Sequence, residues 1–140
     1  SIDEFQEWVF LNPEASPAER RQAYRDIEKK YLPHLSYEDC EYLEKGGKWQ
    51  RQAHVYGMPF YYLDYTISQV VAFQYFIWDM KNHKEAWESY MKICELAGTV
   101  PFTELSKLCG LKNPFVEGSI SSITPELEKY MAGLDKSKLK

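Results

Sequence analysis

The sequence predicts an all-helical protein, and three observations carry that expectation. Helix start and stop signals recur along the chain, while the strict alternation of a half-buried strand hardly appears. A stretch over about 60–81 runs without an internal Gly or Pro and, at about 1.5 Å per residue, is long enough to cross the body of a small domain. The length of 140 residues suits one domain with a real core, so a single helical layer or bundle over 1–140 is the default.

The first helix is expected over about 2–11. Ile2, Phe5 and Trp8 or Val9 share a face, and Asn12-Pro13 ends it, because the residue before a proline is pushed out of the helical region. Ser1 with Glu4 reads either as a capping box or, with no methionine before it, as the cut end of something longer. The next helix has one of the best-marked starts: Ser16 as N-cap, Pro17 at the first helical position, Glu19 completing a capping box, and Pro33 closing the far end. A short helix over 36–45 is expected to open at Ser36, with Glu38 and Asp39 in its first turn, and to stop at Gly46-Gly47. The segment KWQRQAHVYGMP should be helical at its start and irregular by Gly57. After the long central helix, others are expected over 84–97, 102–109 and 124–134, the last with Pro125 at its first helical position. The charged end DKSKLK is expected to fray.

Composition removes several functions. A net charge of −4, with acids and bases interleaved, offers no field to gather phosphates, so nucleic acid is not an expected partner. No run of roughly 18 apolar residues suggests a membrane span, and IDEFQEWVF lacks the pattern of a signal peptide. The expected setting is the cytoplasm, if the natural amino end is the one being read. Cys40, Cys94 and Cys109 form no CxxC pair and are read as reduced, mostly packing cysteines. His34, His54 and His83 never stand at the spacing of HExxH, so no metal site is expected within the chain. Neither GxSxG nor a glycine-rich phosphate loop is present.

Aromatic residues make up 16% of the chain, including 11 tyrosines, whose polar tips need partners when buried; a partly wet groove is therefore expected. On the central helix, Leu63, Ile67, Val70, Val71, Phe73 and Ile77 need only a core. Tyr61, Tyr65, Ser68, Ala72 and Tyr75 form a second, polar-aromatic stripe, with Tyr62 beside it. That stripe reads in two ways. Its hydroxyls are satisfied internally within a core, or they line a groove and donate to a ligand oxygen as an oxyanion site requires, with His54 approaching from a loop.

The run LEKGGKWQRQAHVYGMPFYYLDYTISQVVAFQYF resembles the region downstream of the zinc site in oligoendopeptidase F proteins, members of the thimet-oligopeptidase-like family of zinc metallopeptidases. DEFQEWVFLNPEASPAERRQAYRDIEKKYLPH and PFVEGSISSI are similar to that family too, so the resemblance spans nearly the whole chain. It implies a carboxy-terminal part of a peptidase catalytic domain that cleaves short peptides. The zinc of the full-length enzyme would be held by an HExxH helix and a later glutamate in the upstream half of the same polypeptide, and none of those ligands has a match here. Tyr65 resembles the family's tyrosine that hydrogen-bonds the oxyanion formed on attack at the scissile carbonyl. His54 resembles the histidine on a flexible loop facing the same intermediate, with Gly57 giving that loop freedom to close. Tyr62 matches a groove tyrosine that contacts the peptide backbone, and Tyr61 and Tyr56 would also touch substrate. The isolated chain would then bind no catalytic zinc and be inactive. Surfaces left bare around Trp8, Trp49 and the Tyr61 stripe would favour self-association. A reading from another class is a stand-alone noncatalytic helical module that binds a peptide or partner helix in the aromatic groove; a third is a purely structural domain.

Overall fold

A computed structural model describes residues 1–135 and 137, and every helix and turn among them follows an all-α plan, with no strand among the described residues. The helices are α1 (Ile2–Leu11), α2 (Pro17–Tyr31), α3 (Glu41–Glu44), α4 (Ala53–Gly57), α5 (Tyr61–Lys81), α6 (His83–Leu96), α7 (Phe102–Leu108) and α8 (Thr124–Ala132), with a 3₁₀ turn at Lys48–Arg51 between α3 and α4. The long aromatic helix is α5. The chain divides into two compact units, Ser1–Tyr65 and Thr66–Lys140, so the boundary falls inside α5.

The first unit is built on α1 and α2. The capping box forms as expected: Ser16 Oγ accepts from the Glu19 N–H, while the Glu19 carboxylate accepts from the Ser16 N–H at 2.8 Å. Ile2, Phe5, Tyr24 and Trp49 make the core, with Trp8, Val9, Ile27, Val55 and Tyr62 packed against it. The Phe5 ring meets Tyr24 edge-on at 5.3 Å and lies 4.9 Å from Trp49. Burying each such side chain contributes about 1.5–3 kcal/mol. Behind this core the Glu28 carboxylate, wholly buried, collects hydrogen bonds from Tyr24, Arg25, Tyr37 and Lys48.

The second unit has two apolar clusters along α5. Val70 and Ile77 meet Ile123 and Leu127, while Val71 and Tyr75 pack with Leu105, Cys109, Leu111, Ile93, Leu96 and Val100. Buried Ser89 bonds the Tyr75 hydroxyl at 3.0 Å and donates to the Cys109 carbonyl at 2.6 Å. Gln74 exchanges both its amide groups with the Lys112 backbone, at 3.0 and 2.7 Å.

Several expectations need correction. Ser1 makes no side-chain cap; its carbonyl accepts from the Phe5 N–H instead. The helix expected over 36–45 shrinks to α3, because Ser36 Oγ accepts from the Glu38 N–H, two residues on, and Tyr37 is drawn to Glu28. The segment after Gly47 forms a 3₁₀ turn and then α4, which runs to Gly57. Asn82, whose side chain accepts from the Glu85 N–H, caps α6 one residue earlier than expected. Pro125 takes the second helical position, and α8 stops at Ala132. Leu63 and Phe73 are exposed, as are Cys40 and Cys94. Trp49, expected on a bare patch, is core, and Trp8 packs against it. Within the end expected to fray, Lys136 and 138–140 lie outside the described residues.

Candidate functional site

The expected site residues gather where α4 meets the start of α5, within the first unit. Gln52, in extended conformation, separates the 3₁₀ turn from α4, and one helical turn closes with the Met58 N–H on the His54 carbonyl at 2.8 Å. His54 therefore stands on a helical turn, which corrects its expected place on a loop. Gly57 is the last residue of that turn.

The His54 ring stacks on Tyr62 with centroids 3.8 Å apart. It lies 6.1 Å from Tyr61. Tyr65 stands edge-on to both tyrosines, at 5.2 Å from Tyr61 and 6.0 Å from Tyr62. Spacing of four residues along α5 brings the Tyr61 and Tyr65 hydroxyls to 2.8 Å. That hydrogen bond is the largest cause holding the Tyr65 phenol above its ordinary value, with the charge on Tyr61 next. Tyr65 is consequently a proton donor throughout the neutral range. Tyr62 donates to Gln52 Oε1 at 2.7 Å. Tyr56 turns the other way: its hydroxyl donates to the Gln50 carbonyl at 3.2 Å and its ring lies against Trp49.

His54 Nε2 is buried and has no hydrogen-bond partner among the described residues. An orphaned ring nitrogen is uncommon, because a buried polar atom without a partner costs about 1–3 kcal/mol. The cluster thus offers one phenol pair near the surface and one unused imidazole nitrogen beside it. The exposed Tyr65 phenol can donate a hydrogen bond to an oxygen that gains negative charge, whereas the buried His54 Nε2 reaches such an oxygen only after the turn that carries it moves.

Sequence reasoning missed Gln6. Its side chain, only 2% exposed, accepts from the Phe60 N–H at 3.1 Å and donates to the Val55 carbonyl at 3.4 Å. It therefore clamps the segment between His54 and Tyr61 onto α1. A signal was available, since Gln6 sits beside Phe5 on the apolar face of α1. Phe60 itself has φ of +61°, a left-handed conformation that is strained for a bulky residue.

Against solved structures, the chain is similar over 96% of its length, at 46% identity and a TM-score of 0.89, to PZ peptidase A in a structure with an inhibitor. It is similar to the same extent to a crystal structure of a candidate oligoendopeptidase F. The match is to the oligoendopeptidase F family. A further candidate oligoendopeptidase F, from Bacillus anthracis str. Ames, matches over 98% of the chain at 39% identity and a TM-score of 0.74. The all-α fold is accordingly that of an oligoendopeptidase F segment, and the chain spans 21–24% of the length of these structures. No protein-family model matches the chain, and no curated protein does.

Among the described residues no three or more His, Cys, Asp or Glu side chains are gathered as a metal ion would require. The aromatic cluster is not a zinc donor set either: it holds one imidazole, stacked on a tyrosine. Among the described residues no helix is long and apolar enough to cross a membrane.

Proposed function

We propose that this chain is the carboxy-terminal part of a cytoplasmic zinc metallopeptidase of the oligoendopeptidase F type, which hydrolyses short peptides, and that it forms one wall of the active site. Its described residues gather no zinc donor set, so the metal would be held by the upstream half of the polypeptide. The observation that carries this reading is the juxtaposition of a phenol pair with an imidazole nitrogen lacking a partner, in a chain 46% identical to a peptidase segment.

In this reading Tyr65 and His54 donate to the carbonyl oxygen of the scissile bond as it becomes an oxyanion. Tyr62 holds the peptide backbone and Tyr61 completes the wall; Tyr56, bonded to the Gln50 carbonyl and packed on Trp49, would touch substrate only beyond that cluster. Tyrosine suits the task because its ring packs while its hydroxyl reaches out; leucine could not donate. The phenol of Tyr65 is already paired with Tyr61, so a substrate oxygen exchanges one hydrogen bond for a charge-assisted one, which is stronger in the transition state.

The test is Tyr65→Phe in the full-length enzyme. Loss of one oxyanion donor lowers kcat by about 100- to 1,000-fold with little change in KM. An unchanged kcat would remove Tyr65 from this role. The 140-residue chain alone is expected to show no peptidase activity. Turnover abolished by a chelator and restored by zinc would contradict that expectation.

A further inference from the structure

The passage from α4 to α5 leaves two backbone groups in need of partners from elsewhere in the chain. A helical carbonyl accepts from the N–H four residues on, and for Val55 that residue is Pro59, which has no N–H to give. The next residue, Phe60, takes φ of +61°, which carries the chain off the α4 path together with the Phe60 N–H. One side chain serves both groups. Gln6 Nε2 donates to the Val55 carbonyl at 3.4 Å, and Gln6 Oε1 accepts from the Phe60 N–H at 3.1 Å. A side-chain amide suits the pair because it donates at one end and accepts at the other, and this one is shielded from water beside the fully buried Phe5.

The candidate site lies at the two ends of the stretch that Gln6 holds. His54 directly precedes Val55, and Tyr61 directly follows Phe60 as the first residue of α5. The stack of His54 on Tyr62, with centroids 3.8 Å apart, therefore joins side chains from either end, and its geometry depends on the backbone that Phe60 keeps. A shift at Phe60 would also move the first turn of α5 and reach the hydroxyl pair of Tyr61 and Tyr65 at 2.8 Å. We infer that Gln6 is a positioning residue for the peptidase reaction: buried, it touches no substrate, and by supplying the N–H that Pro59 lacks and holding Phe60 it sets the position of the Tyr65 phenol and of the turn that carries His54. The inference rests on the reading of this cluster as a wall of the peptidase active site.

The test compares Gln6→Met, which keeps the length of the side chain and removes both hydrogen bonds, with the milder Gln6→Asn, whose amide is one methylene too short to hold both groups. In the full-length enzyme Gln6→Met should lower kcat about 10- to 100-fold with KM within about twofold, the scale of a misplacement on the order of 1 Å, and Gln6→Asn should lower it less. In the 140-residue chain carrying either substitution, the NMR shifts of the His54 ring protons should move toward those of an unstacked histidine, and Tyr65 should ionise at lower pH as its pairing with Tyr61 loosens. Glu28→Gln is the control for mere loss of stability. The bonds of Glu28 go to Tyr24, Arg25, Tyr37 and Lys48 rather than to the turn, so kcat and the His54 shifts should stay as in wild type. If Tyr65→Phe lowers kcat and neither Gln6 variant does, the positioning role is overturned while the peptidase reading stands. If Tyr65→Phe leaves kcat unchanged, the reading fails and the inference with it. Unmoved His54 shifts in both Gln6 variants, or equal effects from Glu28→Gln, would also overturn it.

Discussion

Replacing Glu28 by glutamine tests the polar centre of the first unit. The wild-type carboxylate accepts at Oε1 from the Tyr24 hydroxyl at 3.0 Å, the Tyr37 hydroxyl at 2.7 Å and Lys48 Nζ at 3.2 Å, and at Oε2 from Arg25 Nη1 at 3.1 Å. An amide has only one acceptor oxygen, so Glu28→Gln points an NH₂ either at Arg25 or at the three other donors. Breaking a buried ion pair by neutralising one partner costs about 3–5 kcal/mol. The low end applies here. Arg25 keeps the Glu44 carboxylate at 2.8 and 2.9 Å, and Lys48, with its side chain 25% exposed, can turn toward water. A loss of about 3 kcal/mol corresponds to a fall in Tm on the order of 10 °C for a chain of this size.

The acid limb provides a second readout for the same substitution. Burial pushes the Glu28 carboxyl up, but the hydrogen bonds from Tyr37, Lys48 and Tyr24 outweigh it and leave the group below its ordinary value of 4.5. The folded value is depressed, so its stabilisation is fully present above the unfolded value and disappears as pH falls through the folded one. Thermal unfolding followed by circular dichroism, at neutral pH and then stepwise below pH 4.5, should show Glu28→Gln both less stable and less sensitive to acid than wild type. A neutral-pH Tm within about 2 °C of wild type, far below the shift that a loss of this size implies, would refute the reasoning.

Three further outcomes follow from local geometry. Gly46 has φ of +81°, and a Cβ there would lie 2.0 Å from the Arg21 carbonyl oxygen, so Gly46→Ala should destabilise by at least about 2 kcal/mol in denaturant unfolding. Gly57 is the contrast: an added Cβ meets nothing within 4 Å and φ is not positive, so Gly57→Ala should stabilise by about 0.4–1 kcal/mol, and a lower Tm would contradict α4. Tyr61→Phe removes the hydrogen bond that raises the Tyr65 phenol; Tyr65 should then ionise at lower pH in an ultraviolet titration, and an unmoved titration would show that the pair does not form in solution.

What was legible in the sequence was what local chemistry decides. Ser16 and Glu19 bond each other three residues apart, and the helix starts where they say. The Tyr61–Tyr65 pair is similarly local, which is why its stripe could be read from spacing alone. Asn82 and Glu85 carry an equally local capping signal, and it starts α6 one residue before the expected 84. The stretch from 36 to 40 departs from the expected helix for a different reason. Tyr37 and Lys48 answer to Glu28, and Arg25 reaches the Leu35 carbonyl and Glu44, so contacts with α2 override the weak helical preference of 36–40. The stacking of His54 on Tyr62 depends on how α4 turns, which no periodicity encodes.

The candidate site is also where local rules are broken, and the breaks are connected. Phe60 accepts a left-handed backbone for which a bulky residue is poorly suited, at a cost on the order of 1–3 kcal/mol. That conformation turns the chain from α4 into α5 and sets the phase at which Tyr61, Tyr62 and Tyr65 leave the helix. It persists because Gln6, buried on α1, holds the Phe60 N–H with one end of its amide and the Val55 carbonyl with the other. A leucine at that position would fill the core equally well and leave both backbone groups without a partner, at about 1–3 kcal/mol each. The polar residue inside the apolar face of α1 thus fixes the segment that carries His54. The geometry of the aromatic cluster is therefore determined from α1, more than 40 residues before it in the sequence, with a separation of 49 residues for one bond and 54 for the other.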